Sequence, residues 1–257
     1  MHDEGVTYEG LRLGSSRAFA DVLRDDGPVM RRVAALYVGP GEVDTLVRHT
    51  WSVALPGLDM FTWHTSLRAW LTGILVTQGR ARAGRDNTCG IDDAPAPRDR
   101  PAPGPVPWAT LPWSAHWGDD GWVVVRRTLV AQPLAVREVL WLHDVEGWPW
   151  RDVLDALGLT EEDGSRLLDD GRSALATAVA RHLGADGSDG SRRERLEAVA
   201  ALLRWLRSDT ADPPAPDPAL GRTFAAWRRR RAVPVWRRWR WEHGRVRDGA
   251  RVTAAGR

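Results

Sequence analysis

The residues best equipped for recognition chemistry in this 257-residue chain lie at its C-terminal end. Between 221 and 257, twelve arginines face only Glu242 and Asp248, a net charge of +10, and tryptophans are interleaved with them. Arg228, Arg229, Arg230, Arg237 and Arg240 can pair guanidinium groups with phosphate, while an indole such as Trp239 stacks on flat rings. Together these give sequence-independent contacts to nucleic acid. The same charge has a second use. Residues 1–220 carry −8, so the basic end can fold back on the acidic body and cover it.

Nothing in the chain prepares bond-making chemistry. The seven histidines (2, 49, 64, 116, 143, 182 and 243) are scattered, and none stands at metal-ligand spacing from a cysteine or carboxylate. The glycines form no phosphate-cradling loop. Cys89 is the single cysteine, which excludes an intrachain disulfide and fits a cytoplasmic home. We therefore expect a protein that is not an enzyme and takes no cofactor and no metal. The longest apolar runs, such as 71–76, are too short to span a membrane, and the polar, acidic opening His2-Asp3-Glu4-Gly5 lacks the pattern of a signal segment. All 36 basic side chains are arginine, the residue that grips phosphate and carboxylate bidentately.

The elements that must position these groups are helical. Residues 1–14 read as a frayed leader. Apolar residues from Phe19 to Leu36 predict two short helices broken at Gly27-Pro28. Glu42 opens a further helix carrying Val43, Leu46, Val47, Trp51 and Ala54, and Pro56-Gly57 stops it. Thr65 or Ser66 then caps a helix bearing Leu67, Trp70, Leu71, Ile74 and Leu75. Seven prolines between 95 and 112 exclude regular structure from the following stretch. Beyond it, 137–183 reads as helix, break, helix, tight turn, long helix. Gly158 sits where a left-handed residue ends a helix, and Thr160 with Asp163 forms a capping box for the next. This is the spacing of a helix-turn-helix, whose second helix normally enters the major groove. A helix at 192–208 and a proline-rich break at 212–218 lead to the basic end, whose segment around Trp236–Trp241 is read as a strand or as irregular chain.

Two ordered stretches carry a family resemblance. REVLWLHDVEGW followed by the ALGLT turn resembles the promoter −35-binding domain of sigma-70 factors of the extracytoplasmic-function type. Upstream, TWSVALPGLDMF with SLRAWLTGILV and RARAGR resembles the promoter-melting domain of the same group. The likeness covers roughly 17–85 and 121–183. It implies an all-α fold of two helical sigma-type domains, 15–86 and 121–183, joined by a Pro/Trp-rich linker at 87–120 and followed by an extension at 192–257.

The resemblance also implies roles. The loop ahead of the Ser-Leu-Arg helix would trap an unpaired base of the −10 element. Phe61, Trp63, His64, Thr65 and Ser66 supply the aromatic platform and polar rim that a flipped base needs. Arg68, Arg80, Arg82 and Arg85 would reach phosphates. Thr160, Glu162, Ser165, Arg166 and Arg172 would face the −35 element. Glu42, Asp44, Thr45, Arg48, His49 and Trp51 would face core RNA polymerase. The expected partners are therefore core RNA polymerase and promoter DNA, with an anti-sigma protein as a further candidate.

Two departures from the family pattern stand out. The helix before Thr50-Trp51 in the family carries an Asp and a Gln-Glu pair that grip a basic coiled coil, where this chain has Thr45, Arg48 and His49. The family's recognition helix carries a basic pair after Leu-Leu, where this chain has Asp169-Asp170. Residues 121–183 hold seven arginines and ten acids, net −3, which opposes duplex phosphate. Both departures favour an alternative: a sigma-derived interaction or regulatory protein that no longer recognises promoters itself.

Overall fold

Ser15 sets the start of the first capped helix. Its backbone is extended (φ −68°, ψ 117°) and its hydroxyl accepts the Ala18 N–H at 3.3 Å, which satisfies one of the free donors of a helix N-terminus. The computed structural model describes residues 4–62, 64–86, 119–182, 203 and 217–232. Among these the fold is all-α, with no strand.

The first helical set contains α1 (Glu4–Arg12), α2 (Ser16–Asp25), α3 (Gly27–Ala34), α4 (Val43–Gly57) and α5 (Leu67–Asp86). The break between α2 and α3 falls at Asp26, with Pro28 in the first turn of α3. Pro56 lies inside the last turn of α4, and a short 3₁₀ turn, Leu58–Met60, follows. Ser66 is the residue that caps α5, its hydroxyl accepting the Ala69 N–H at 3.1 Å. The expected frayed leader is instead α1 from Glu4 onward. Leu11 is fully buried, and the Tyr8 hydroxyl donates to the Leu58 carbonyl at 2.7 Å.

The second set contains α6 (Asp119–Ala131), α7 (Leu134–Leu140), α8 (Trp150–Leu157) and α9 (Glu161–His182). α7 runs on into a π-helical turn, Trp141–Val145, closed by the Glu146 N–H on the Trp141 carbonyl at 2.8 Å. Trp141, Leu142, Asp144, Val145 and Glu146 are all buried there, more than one face of a regular α-helix can hide. A further helix, α10 (Pro218–Ala232), returns to the first set and packs on α4. The expected helix at 192–208, apart from buried Leu203, residues 87–118 of the linker expected at 87–120, and the segment around Trp236–Trp241 lie outside the described residues; Asp119 and Asp120 of that linker instead begin α6.

The two sets share one apolar core. Leu71, Leu75 and Val76 of α5 belong to the same buried cluster as Val139, Leu140 and Val153. α5 packs on α4 and also on α8. The second contact is close because Gly73 has no side chain: a β-carbon there would lie 3.2 Å from the Ala156 carbonyl oxygen. Gly171 does the same for α9 on α7, where a β-carbon would meet Val136 at 2.6 Å and Leu140 at 2.7 Å.

Candidate nucleic-acid interface

The helix-turn-helix is built as its residues demand. Gly158 ends α8 in the left-handed region at φ 66°, which glycine adopts without steric cost. Thr160 then caps α9, its hydroxyl accepting the Asp163 N–H at 3.1 Å and donating to the Asp163 carboxylate at 2.8 Å. The Trp150 indole N–H donates to Glu161 at 2.7 Å and ties the starts of α8 and α9 together.

Of the five candidates for −35 contact, Thr160, Glu162, Ser165 and Arg166 are exposed on one end of α9. Arg166 reaches back to Asp163 at 2.8 Å. Arg172 points inward. Its Nε donates to Asp144 at 2.8 Å, its Nη2 donates to the same carboxylate, and Asp144 also meets His143 Nδ1 at 2.8 Å. Burial pushes the Asp144 carboxyl up, but the hydrogen bonds from Arg172 and His143 outweigh it and hold the group below the ordinary carboxylate range. Asp169 and Asp170 are exposed, so the outer face of α9 is acidic.

Three of the candidates for −10 contact, Arg80, Arg68 and Ser66, hold carboxylates of their own chain. Arg80 grips Glu138 of α7 through two hydrogen bonds, 2.9 and 2.6 Å, and Glu138 also accepts from the Tyr37 hydroxyl at 2.8 Å. That carboxylate is almost fully buried. Arg68 donates to Asp26 at 2.6 Å and lies over the Trp148 ring at 5.8 Å from its centroid. Burial raises the Asp26 pKa despite the Arg68 charge beside it. The Ser66 hydroxyl donates to Asp152 of α8 at 3.1 Å while capping α5. Phe61 is 6% exposed and packs between Tyr8 and Trp70, with ring centroids at 5.0 and 5.3 Å, so it is core rather than platform. His64 is exposed, Thr65 and Arg82 are half-buried, and Trp63 and the side chain of Arg85 lie outside the described residues.

Sequence reasoning missed what the second set does to the first. Glu138 of α7, Glu146 just after the π turn and Asp152 of α8 hold Arg80 of α5, Arg32 of α3 and the α5 cap Ser66. Arg32 of α3 adds a further bidentate pair, to Glu146 at 2.6 and 2.7 Å. These partners lie 58 to 114 residues apart in the chain, beyond any periodicity rule. The signal that could have found them is charge: the acidic excess of 121–183 against the arginines of the first set.

Of the candidates for polymerase contact, Glu42, Thr45 and His49 are exposed along α4, and Trp51 is fully buried. Asp44 pairs with Arg31 of α3, and Arg48 donates to Asp217 at 2.7 Å. In the basic extension Arg229 and Arg230 are exposed, Arg228 donates to the Ser16 hydroxyl at 3.1 Å, and Arg237, Trp239 and Arg240 lie outside the described residues.

An open groove of about 520 Å³ between α6 and α9 is lined by Arg127, Thr128, Gln132, Ser173, Thr177 and Arg181 together with Ala131, Ala174 and Ala178. Among the described residues no cluster of His, Cys, Asp and Glu is arranged to hold a metal ion, and no helix is long and apolar enough to cross a membrane. No family model matches the chain, and neither a curated protein nor a solved structure resembles it closely enough to mark kinship.

Proposed function

We propose that this chain is a cytoplasmic transcription initiation factor of the extracytoplasmic-function sigma type, which binds core RNA polymerase and directs it to promoter −10 and −35 DNA. The observation that carries the reading is the helix-turn-helix at 150–182. Its turn is fixed by left-handed Gly158, and Thr160, Ser165 and Arg166 are presented outward from a capped helix start. The N-terminal end of a helix is where recognition helices of this kind meet base edges, and its free N–H groups also favour phosphate. The ordered resemblance of 17–85 and 121–183 to the two sigma domains supplies the rest.

In the arrangement described above, Arg68, Arg80 and Arg172 hold carboxylates of their own chain. DNA can use them only by replacing carboxylate with phosphate: Asp26 of the first set for Arg68, Asp144 of the second for Arg172, and Glu138, across the two sets, for Arg80. Polymerase, by binding the two sets at separate places, would weaken the last of these contacts and favour release of Arg80. The protein alone is then a poor DNA binder, and the complex with polymerase a good one.

The same pairs, with the acidic outer face of α9, favour a second reading: a sigma-derived regulatory protein that keeps the helices for protein contacts and does not select promoters. One reconstitution separates the two. The full chain is mixed with purified core polymerase and genomic DNA fragments. An initiation factor co-elutes with polymerase and yields transcripts with defined 5′ ends; an interaction protein co-elutes and yields none.

A further inference from the structure

Two arginines of the second set stand apart from its ion pairs. Arg166 and Arg172 hold Asp163 and Asp144. Arg127 of α6 and Arg181 of α9 are exposed, and among the described residues no carboxylate holds either one. Both line the open groove of about 520 Å³ between the two helices. Arg181 lies in the last turn of α9, where the helix dipole favours a cation. Arg127 lies inside α6 and has no such use. Residues 121–183 carry −3, yet this groove faces two cations that nothing neutralises. One turn before Ala174, exposed Asp170 makes the other end of the α9 stripe acidic, so an anion is drawn toward Arg181.

The floor between the arginines is made of small side chains. Ala174 and Ala178 stand one turn apart on α9, and Ala131 lies on the α6 wall. Three methyl groups anchor a partner helix poorly, because helix-in-groove docking relies on larger apolar anchors. The lining also lacks an aromatic ring on which a nucleobase could stack. Its polar groups are suited to hydrogen bonding instead. The Thr177 hydroxyl donates to the Ser173 carbonyl at 2.8 Å, which leaves its lone pairs free to accept. Gln132 donates one amide N–H to the Thr128 carbonyl at 3.2 Å and keeps its own carbonyl oxygen as an acceptor. The Ser173 hydroxyl is a further donor. One ligand can therefore meet charged donors at one end and neutral acceptors along its length.

We propose that the α6–α9 groove binds a phosphorylated sugar, with phosphate between Arg127 and Arg181 and hydroxyl groups on Thr177 and Gln132. Guanidinium pairs with phosphate through two parallel hydrogen bonds, which gives both strength and orientation. The volume lies within the usual range of small-molecule clefts, about 300–1,000 Å³. The site occupies the half of α9 away from Thr160 and Arg166, so it does not depend on the sigma-type reading. A ligand that bridges α6 and α9 also ties the two helices together, and its concentration then sets the stability of the second set.

The test is isothermal titration calorimetry of the full chain with glucose 6-phosphate, ribose 5-phosphate and fructose 1,6-bisphosphate. Inorganic phosphate, adenosine monophosphate and glucose are the comparison ligands. The expected result is saturable binding of at least one sugar phosphate, about ten-fold or more tighter than any comparison ligand. Arg127→Ala and Arg181→Ala should each weaken it by about ten-fold, the worth of one charged hydrogen bond, with helical content by circular dichroism unchanged. Thr177→Val should weaken the sugar phosphate and leave inorganic phosphate as it was. Arg151→Ala, an exposed arginine of α8 outside the groove, should change nothing. Sugar phosphates that bind no tighter than inorganic phosphate overturn the proposal, as do a nucleotide that binds equally well and an Arg151→Ala loss as large as that of Arg127→Ala.

Discussion

Arg80 of α5 and Glu138 of α7, 58 residues apart in sequence, form a bidentate ion pair whose carboxylate is 1% exposed and whose guanidinium is 42% exposed. The pair is therefore asymmetric. Glu138 cannot return to water without moving α7, whereas Arg80 can turn outward. Hydrogen bonding to Glu138 raises the Arg80 pKa still further, so the guanidinium stays charged at any pH at which the protein is folded. The carboxylate is the fixed part of the clamp and the arginine the part that can be released to another anion.

Glu138→Ala should destabilise the chain strongly. It leaves the buried Tyr37 hydroxyl without its acceptor and Arg80 without its counter-charge. Arg80 is 42% exposed and can turn to water, so the main loss is the unmet buried hydroxyl, about 1–3 kcal/mol; Arg80→Met instead strands the buried Glu138 carboxylate and should cost more. The double variant Glu138→Met with Arg80→Met should lose clearly less, because no uncompensated charge remains. Urea unfolding of wild type, Glu138→Met, Arg80→Met and the double variant in a double-mutant cycle gives the coupling directly.

Helix approach predicts a second set of outcomes. Gly171→Val puts side-chain carbon where Val136 and Leu140 already stand, and should cost about 1–3 kcal/mol by overpacking. Gly158→Ala meets open space but a left-handed φ of 66°, and should cost about 1 kcal/mol. Thr160→Ala removes the cap of α9 and should cost about 1 kcal/mol. Thermal unfolding should rank the Gly171 variant lowest.

Much of this fold is legible in the sequence because it is local. The glycine at Gly158, the capping box at Thr160 and Asp163, and the break at Gly27-Pro28 all announce themselves within four residues. α1 reads as frayed chain because its stability comes from Leu58, fifty residues away, which accepts the Tyr8 hydroxyl. α10 is hidden from a periodicity reading because four consecutive arginines dominate a stripe of three apolar residues. Arg172, expected on DNA, turns inward because the π turn brings Asp144 to it, and π turns have no sequence signature that periodicity detects. Sequence thus places the candidate residues on helices, while the partners they hold depend on how those helices meet.

Acid should act on two buried carboxylates in opposite directions. The folded pKa of Asp144 is depressed, so its contribution is present above the unfolded value of about 3.9 and is lost as pH falls through the folded value. The folded pKa of Asp26 is raised, so the ionised group costs stability as pH rises through about 3.9 toward its folded value, and acid relieves that cost. Urea midpoints measured from about pH 3 to pH 7 should show a shallower acid loss for Asp144→Asn than for wild type, and a steeper one for Asp26→Asn.

Salt should reveal how the arginines are used. The free chain should bind duplex DNA weakly, with a salt slope set by exposed cations such as Arg229 and Arg230. Replacing both with alanine should lower the slope of log affinity against log salt by about 1.8, at about 0.9 for each phosphate no longer neutralised. Arg80→Ala should leave the slope of the free chain unchanged, because Glu138 already holds that guanidinium. Fluorescence titrations at several salt concentrations would measure both.

The most direct measurement is run-off transcription by purified core polymerase with and without this chain, on fragmented genomic DNA from its source, with 5′ ends mapped. The expected result is a set of chain-dependent start sites that vanish when Thr160, Ser165 and Arg166 are replaced together by alanine. Co-elution with polymerase and no chain-dependent start site would contradict promoter selection and leave the regulatory reading in its place.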